Sequence, residues 1–145
     1  MTHHRYIDDG IMRGSPDDLR LVGGECTACD LVSFPRADGC SRCGSQDVVE
    51  RELARRGTVW TWTTQGFLPK RPYTGQETTE DFTPWTIAYV ELADGVRVES
   101  RVLVDQPESL HMGQEVELVS APHRVEDDGT QVLMFAFRPT TEVAA

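Results

Sequence analysis

Four cysteines fall in two Cys-x-x-Cys pairs, Cys26-Thr27-Ala28-Cys29 and Cys40-Ser41-Arg42-Cys43, and the chain has no others. Two residues between thiols let each pair sit on a tight turn and aim both sulfurs at one tetrahedral ion. Two such turns close together supply four thiolates, which is the spacing of a zinc ribbon. Gly44 follows the second pair and Asp30 follows the first. A turn of this kind closes with backbone N–H groups directed at sulfur, and it favours a residue free to take positive φ. Asp tolerates that region better than most side chains.

Two other uses of the cysteines read less well. Disulfides need an oxidising compartment, and the start Met1-Thr2-His3-His4-Arg5-Tyr6 carries no apolar run of the signal-peptide kind. The expectation is therefore a cytoplasmic protein. A redox pair would come once, at a helix start after a strand. Zn2+ held by Cys26, Cys29, Cys40 and Cys43 leaves no position for water or substrate, so the expected role is structural. A segment this short cannot bury enough apolar surface to fold without the metal.

Charge narrows the partners. The 145 residues carry 24 acids against 14 bases, one of them a lysine, for a formal net charge of −10. A nucleic-acid binder needs cations to replace counterions on the phosphates, so DNA and RNA are disfavoured. No apolar stretch approaches the length of a membrane span.

Along the chain, residues 1–14 read as irregular and polar. Ser15-Pro16-Asp17-Asp18 predicts a short helix: a serine N-cap, proline at the first position, acids in the first turn. It would run to about Leu21 and end at Gly23-Gly24. Residues 1–24 are thus taken as an N-terminal segment with a short helix, 25–47 as the ribbon, and 48–145 as a β domain. Leu31 to Pro35 reads as a short strand between the turns. Val48 to Leu53 alternates like a strand, although Glu50, Glu52 and Ala54 also suit a helix. Gly57 to Thr64 is a strand rich in β-branched and aromatic residues. A loop with three prolines fills 66–84. Trp85–Leu92 and Val96–Val104 form a hairpin about Ala93-Asp94-Gly95. Val96, Val98, Val102 and Val104 share one face of the latter, with Arg97, Glu99 and Arg101 on the other. One helical turn is expected over Pro107–Gly113, then strands at Gln114–Ala121 and Gln131–Phe137. Five strands with a helical turn after the third suit a small closed barrel of OB type. The fold class is mainly β, a ribbon followed by a five-stranded barrel.

At this point the chain resembles a known family that joins a rubredoxin-like zinc ribbon to an OB-fold and associates with acyl-CoA enzymes. Leu21-Val22-Gly23-Gly24-Glu25-Cys26 resembles its lead into the first turn, Phe34-Pro35-Arg36 its Phe-Pro motif, and Cys40-Ser41-Arg42-Cys43-Gly44-Ser45 its second turn. Gly57-Thr58-Val59-Trp60-Thr61-Trp62-Thr63 and Ile87-Ala88-Tyr89-Val90-Glu91-Leu92 fit its barrel strands, and Gly113 fits its turn. Ser41 stands where the family usually has proline, the N-terminal segment is abbreviated, and the 66–84 loop is long and acidic. The resemblance implies a non-catalytic subunit. It would partner a thiolase-fold enzyme, such as a thiolase or a lipid-transfer-protein-like aldolase that shortens steroid side chains. The OB-fold would help hold an acyl-CoA.

Expectations about residues follow. Arg55, Arg56, Lys70 and Arg71 are the candidate contacts for CoA phosphates, with ordinary surface ion pairs as the alternative. Trp60 and Trp62 are two apart and so share a strand face. They pack in the core, or else they point outward to a ligand or partner. Phe34-Pro35 is a second candidate partner surface. The aromatic surface of Tyr73–Trp85 extends the expected substrate to a steroid or other bulky acyl-CoA. A nucleophilic cysteine is unavailable if all four hold zinc, and His111 and His123 lack a context that would poise them as acid or base. The competing reading is a single-stranded nucleic-acid binding module, since ribbons and OB-folds both serve there.

Overall fold

Strands make up most of the regular structure of this chain. The computed structural model describes residues 3–140. Ten strands follow in order: β1 (His4–Tyr6), β2 (Met12–Arg13), β3 (Arg20–Cys26), β4 (Val32–Ser33), β5 (Val48–Glu52), β6 (Arg56–Gln65), β7 (Trp85–Leu92), β8 (Arg97–Val102), β9 (Glu115–Val125) and β10 (Gln131–Pro139). Two 3-10 turns, at Pro16–Asp18 and Pro107–Ser109, are the helical elements among the described residues.

The C-terminal strands make a closed ring. β6, β7 and β8 pair antiparallel in sequence order. β8 meets β10 in parallel at Val102 and Phe137. β10 pairs antiparallel with β9, and β9 returns to β6 through Arg56–Thr58. This order, with its one parallel seam, is that of a five-stranded OB-fold barrel. Its interior comes from alternating positions: Val59, Val90, Val98, Val116, Leu118 and Phe137 are all buried. Full burial of a side chain such as Phe137 stabilises by about 2–3 kcal/mol. On β8 the expected faces hold, with Val98, Ser100 and Val102 inside and Arg97, Glu99 and Arg101 outward or partly covered.

The ribbon is a second sheet, centred on β3. β2 and β4 pair with successive stretches of β3, and β5 pairs along it from Val22 to Cys26. Val48–Glu52 is therefore a strand, and its partner lies in the ribbon rather than the barrel. Leu19, Leu21, Leu53 and Met12 from this sheet join the barrel's interior in one continuous core.

The N-terminal segment departs from expectation. The helix expected over Ser15–Leu21 is only the 3-10 turn at Pro16–Asp18, and Ser15 makes no side-chain cap. Leu19 closes that turn with extended backbone, φ −68° and ψ 140°, and β3 begins at Arg20, so the chain is extended where the helix was expected to continue. Gly23 and Gly24 do not end a helix but lie buried inside β3. A Cβ on Gly23 would stand 2.2 Å from Ser33 O, so glycine is needed for β4 to approach. Residues 4–6 and 12–13, expected to be irregular, are strands; β1 lies parallel to β10, with His4 opposite Gln131.

Candidate functional site: a four-thiolate centre on a barrel

The four cysteines converge. Their sulfurs all lie within 4.8 Å of one another, with Cys26 and Cys43 at 3.6 Å and Cys29 and Cys40 at 3.5 Å. Four sulfurs about 2.3 Å from one ion stand roughly 3.8 Å apart, so the donor set fits a tetrahedral divalent metal. The sequence dictates the two turns that carry them. The Asp30 N–H bonds Cys26 O and the Gly44 N–H bonds Cys40 O, at 2.8 and 2.9 Å. Asp30 and Gly44 both take positive φ, 69° and 77°, as the spacing predicted. In the second turn the Arg42 and Cys43 N–H groups donate to Cys40 Sγ at 3.4 and 3.5 Å.

The electrostatics of the donors agree with a bound cation. The Leu31 N–H, with help from Arg42, pulls the Cys29 thiol down to about 6. The Ser45 N–H also lowers Cys43, but the sulfurs of Cys26 and Cys29 outweigh it and push Cys43 up to about 12. Sulfurs this close cannot all carry charge by themselves, and a divalent ion removes that conflict.

The other expected residues do not gather in one place. Arg55 is committed within the fold: its guanidinium donates to Leu19 O at 3.2 Å and Leu118 O at 3.3 Å, tying the N-terminal segment to β9. Arg56 is exposed and only loosely paired with Glu117, at 3.8 Å. Lys70 and Arg71 are exposed in the 66–84 loop. That loop leaves the far end of β6 from Arg56, about 30 Å away along a ten-residue strand. Phe34 packs edge-on against Phe135 of β10, ring centroids 5.8 Å apart, and so joins ribbon to barrel; Pro35 beside it is exposed.

Trp60 and Trp62 do not share a face. The β6–β7 register shifts between Val59 and Thr61, so Val59 pairs with Val90 and Thr61 with Tyr89. Trp60 is the extra residue of this bulge. It lies outside, 46 % exposed, edge-on to Tyr89 at 6.2 Å and beneath the Arg97 guanidinium at 3.8 Å. Trp62 packs against the core. Beside Tyr89 a groove of about 180 Å³ runs along the outer sheet between Thr61 and Glu99.

The aromatic Tyr73–Trp85 segment was legible in the sequence, but its partners on β8 and β9 were not. The 66–84 loop folds back over the barrel as a strap. Tyr73 lies against Trp85 and edge-on to His123, and Phe82 also packs on Trp85. Arg101 stacks over Trp85 at 3.5 Å and donates to the Tyr73 hydroxyl, which itself donates to Glu77. Gln76 exchanges two hydrogen bonds with the Val125 backbone. Burial, then the nearby Arg101, holds His123 below the usual imidazole range. The available signal was the aromatic content of the loop read together with Arg101 on the outward face of β8.

Ribbon, strap and barrel define a zinc-ribbon–OB-fold protein. The family model described as "ChsH2, rubredoxin-like zinc ribbon domain" matches residues 13–49, and "ChsH2, C-terminal OB-fold domain" matches residues 50–120. A DUF35 domain-containing scaffold protein of Pyrococcus furiosus is 33% identical over 85% of this chain and 85% of its own length. The benzoylsuccinyl-CoA thiolase subunit BbsA of Geobacter metallireducens is 28% identical over 81% of this chain and 73% of its own length. The solved structure of an Ltp2-ChsH2(DUF35) aldolase superposes with a TM-score of 0.63 at 26% identity, covering 84% of this chain and 86% of that one. The chain belongs to the DUF35 family of zinc-ribbon–OB-fold proteins. Among the described residues no helix is long and apolar enough to cross a membrane.

Proposed function

We propose that this chain is a non-catalytic accessory subunit of a thiolase-superfamily enzyme, a thiolase or a lipid-transfer-protein-like retro-aldolase, and helps seat its acyl-CoA substrate. The observation that carries this is similarity running through both ribbon and barrel to one protein named as a thiolase subunit and one solved as part of an aldolase. The ribbon holds a structural Zn2+ on Cys26, Cys29, Cys40 and Cys43. The partner supplies nucleophile and base.

For the substrate, the cations divide by availability. Arg55 is occupied by backbone carbonyls. Lys70, Arg71 and Arg101 have no carboxylate at ion-pair distance among the described residues, and Arg101 already lies on an aromatic platform. Guanidinium and ammonium groups left unpaired in so acidic a chain suit the phosphates of CoA, and the strap's aromatic rings suit a bulky acyl group such as a steroid. Trp60 and Tyr89, exposed beside a groove, suit the protein partner, since exposed aromatic anchors dominate binding energy at interfaces.

The test is co-expression with a thiolase-fold enzyme encoded beside this chain. Co-elution, with acyl-CoA turnover that needs both proteins, is the expected result. A chain that ignores such partners and instead retards a labelled single-stranded oligonucleotide at low salt would overturn the reading in favour of a nucleic-acid module.

A further inference from the structure

Arg42 sits between the two ligands of the second turn, yet its side chain reaches the first. Its guanidinium donates to the carbonyl of Cys29, while its own backbone N–H donates to Cys40 Sγ at 3.4 Å. One residue thus ties both turns around the point where the sulfurs meet. The local charge makes this placement consequential. Residues 25–47 hold Glu25, Asp30, Asp38 and Asp47 against only Arg36 and Arg42. Four thiolates around a divalent ion leave a further net negative charge. Arg36 turns toward Glu50, at 3.9 Å. Arg42 has no carboxylate within ion-pair distance among the described residues, although acids outnumber bases 24 to 14 in the chain. Arg71 and Arg101 also lack a carboxylate at that distance among these residues, so what sets Arg42 apart is the atom it reaches. Its guanidinium is held against a ligand's backbone.

We propose that Arg42 is a positioning residue of the metal centre: its guanidinium bridges the two turns, offsets thiolate charge and slows escape of the ion. Loss of a partner of this kind outside the ligand set typically costs about 10–100-fold in metal affinity. Arginine suits the task better than lysine, because its planar fork can hold a carbonyl while its charge spreads toward the sulfurs.

The experiment uses the full chain loaded with zinc and challenged with an excess of a chromophoric chelator. Arg42→Ala is expected to release zinc roughly tenfold faster or more. Arg42→Lys, which keeps the charge and loses the fork, is expected to fall between Arg42→Ala and wild type. Ser41→Ala, on the same turn, is expected to release at the wild-type rate. A cobalt-loaded sample gives a readout that simple destabilisation would not move. Removing a cation beside sulfur raises the sulfur donor level, so the thiolate-to-cobalt charge-transfer band of Arg42→Ala is expected at lower energy. A wild-type release rate in Arg42→Ala overturns the proposal. So does an unmoved band, or a Ser41→Ala chain that releases as fast as Arg42→Ala. Should Arg42→Ala fail to take up metal, Arg42→Lys decides alone: release faster than wild type supports the proposal, and an equal rate overturns it.

Discussion

Asp94 Oδ2 stands 3.2 Å from Arg51 Nη2, and this pair fastens the β7–β8 turn of the barrel to the ribbon sheet. The Asp94 side chain is only 6 % exposed. Its carboxylate also accepts the Ala54 N–H at 3.1 Å, and Arg51 reaches on to Glu25, next to Cys26, at 3.2 Å. Asp94→Ala leaves the Ala54 N–H without an acceptor and Arg51 without its better-buried partner. The expected loss is about 2–3 kcal/mol in urea unfolding. Asp94→Asn retains an oxygen for Ala54 and should lose less. A loss in Asp94→Ala indistinguishable from zero would remove the clamp from the account.

Gly23→Ala tests the close approach of β4. The added methyl would meet Ser33 O at 2.2 Å, a backbone atom that cannot swing away. At Gly24 the nearest atoms belong to the Val48 and Arg36 side chains. Gly23→Ala should therefore weaken zinc retention and cost about 1–3 kcal/mol, with Gly24→Ala milder. The order of the two in parallel thermal melts is the check.

The two tryptophans should separate stability from association. Trp62→Ala opens the core under β6 and is expected to cost about 3 kcal/mol. Trp60→Ala removes an exposed ring and its contact with Arg97, worth about 1 kcal/mol at most. If the outer face binds the partner, Trp60→Ala loses co-elution with a far smaller fall in melting point than Trp62→Ala. Equal melting points for the two variants would contradict the assigned burial.

Acidification should loosen the strap. Burial and Arg101 depress His123 in the folded state, with Arg124 adding to that and Glu77 opposing it. The unfolded chain therefore binds a proton more readily, and stability rises with pH. The contribution is complete above the ordinary imidazole value and is lost as pH falls from there through the folded-state value. The melting point should drop between pH 7.5 and pH 5.5 by more in wild type than in His123→Gln. The same slope in both chains would place the effect elsewhere.

Removal of zinc by a strong chelator should release the ribbon and spare the barrel. Amide exchange is the measurement: Gly24 to Cys26 and Val48 to Val49 are expected to lose protection while Val90 and Val98 keep it. The barrel strands pair among themselves in a sheet that the ribbon strands do not enter, so their backbone ladder does not run through the cysteines. Uniform loss across both groups would mean that the ribbon holds the barrel together.

The legible parts of this chain were those fixed by local chemistry. A Cys-x-x-Cys turn dictates its own geometry, so Asp30 and Gly44 could be assigned positive φ before any coordinates. The hairpin about Asp94-Gly95 and the alternation of β8 were equally plain. What stayed hidden depended on residues distant in sequence. Gly23-Gly24 resembles a helix stop until Ser33 is known to lie against it. Trp60 and Trp62 obey period two until a bulge inserts one residue between their faces. Arg55 resembles a free cation until the carbonyls of Leu19 and Leu118, 36 and 63 residues away, are found to claim it. The strap is the extreme case, because its order comes from Arg101 and His123, contributed by β8 and β9.

The parallel seam between β8 and β10 has a consequence for how the protein is made. Val102 waits for Phe137, and His4 waits for Gln131. The ribbon sheet, spanning Met12 to Glu52, has all its partners once the first third of the chain has left the ribosome. The barrel does not: its ring stays open until β10 is synthesised, and the first strand of the chain has no neighbour until then. Translation thus presents a finished metal-binding head on an unclosed sheet, and a ribosome that stalls before Gln131 would hold exposed strand edges able to pair with other chains.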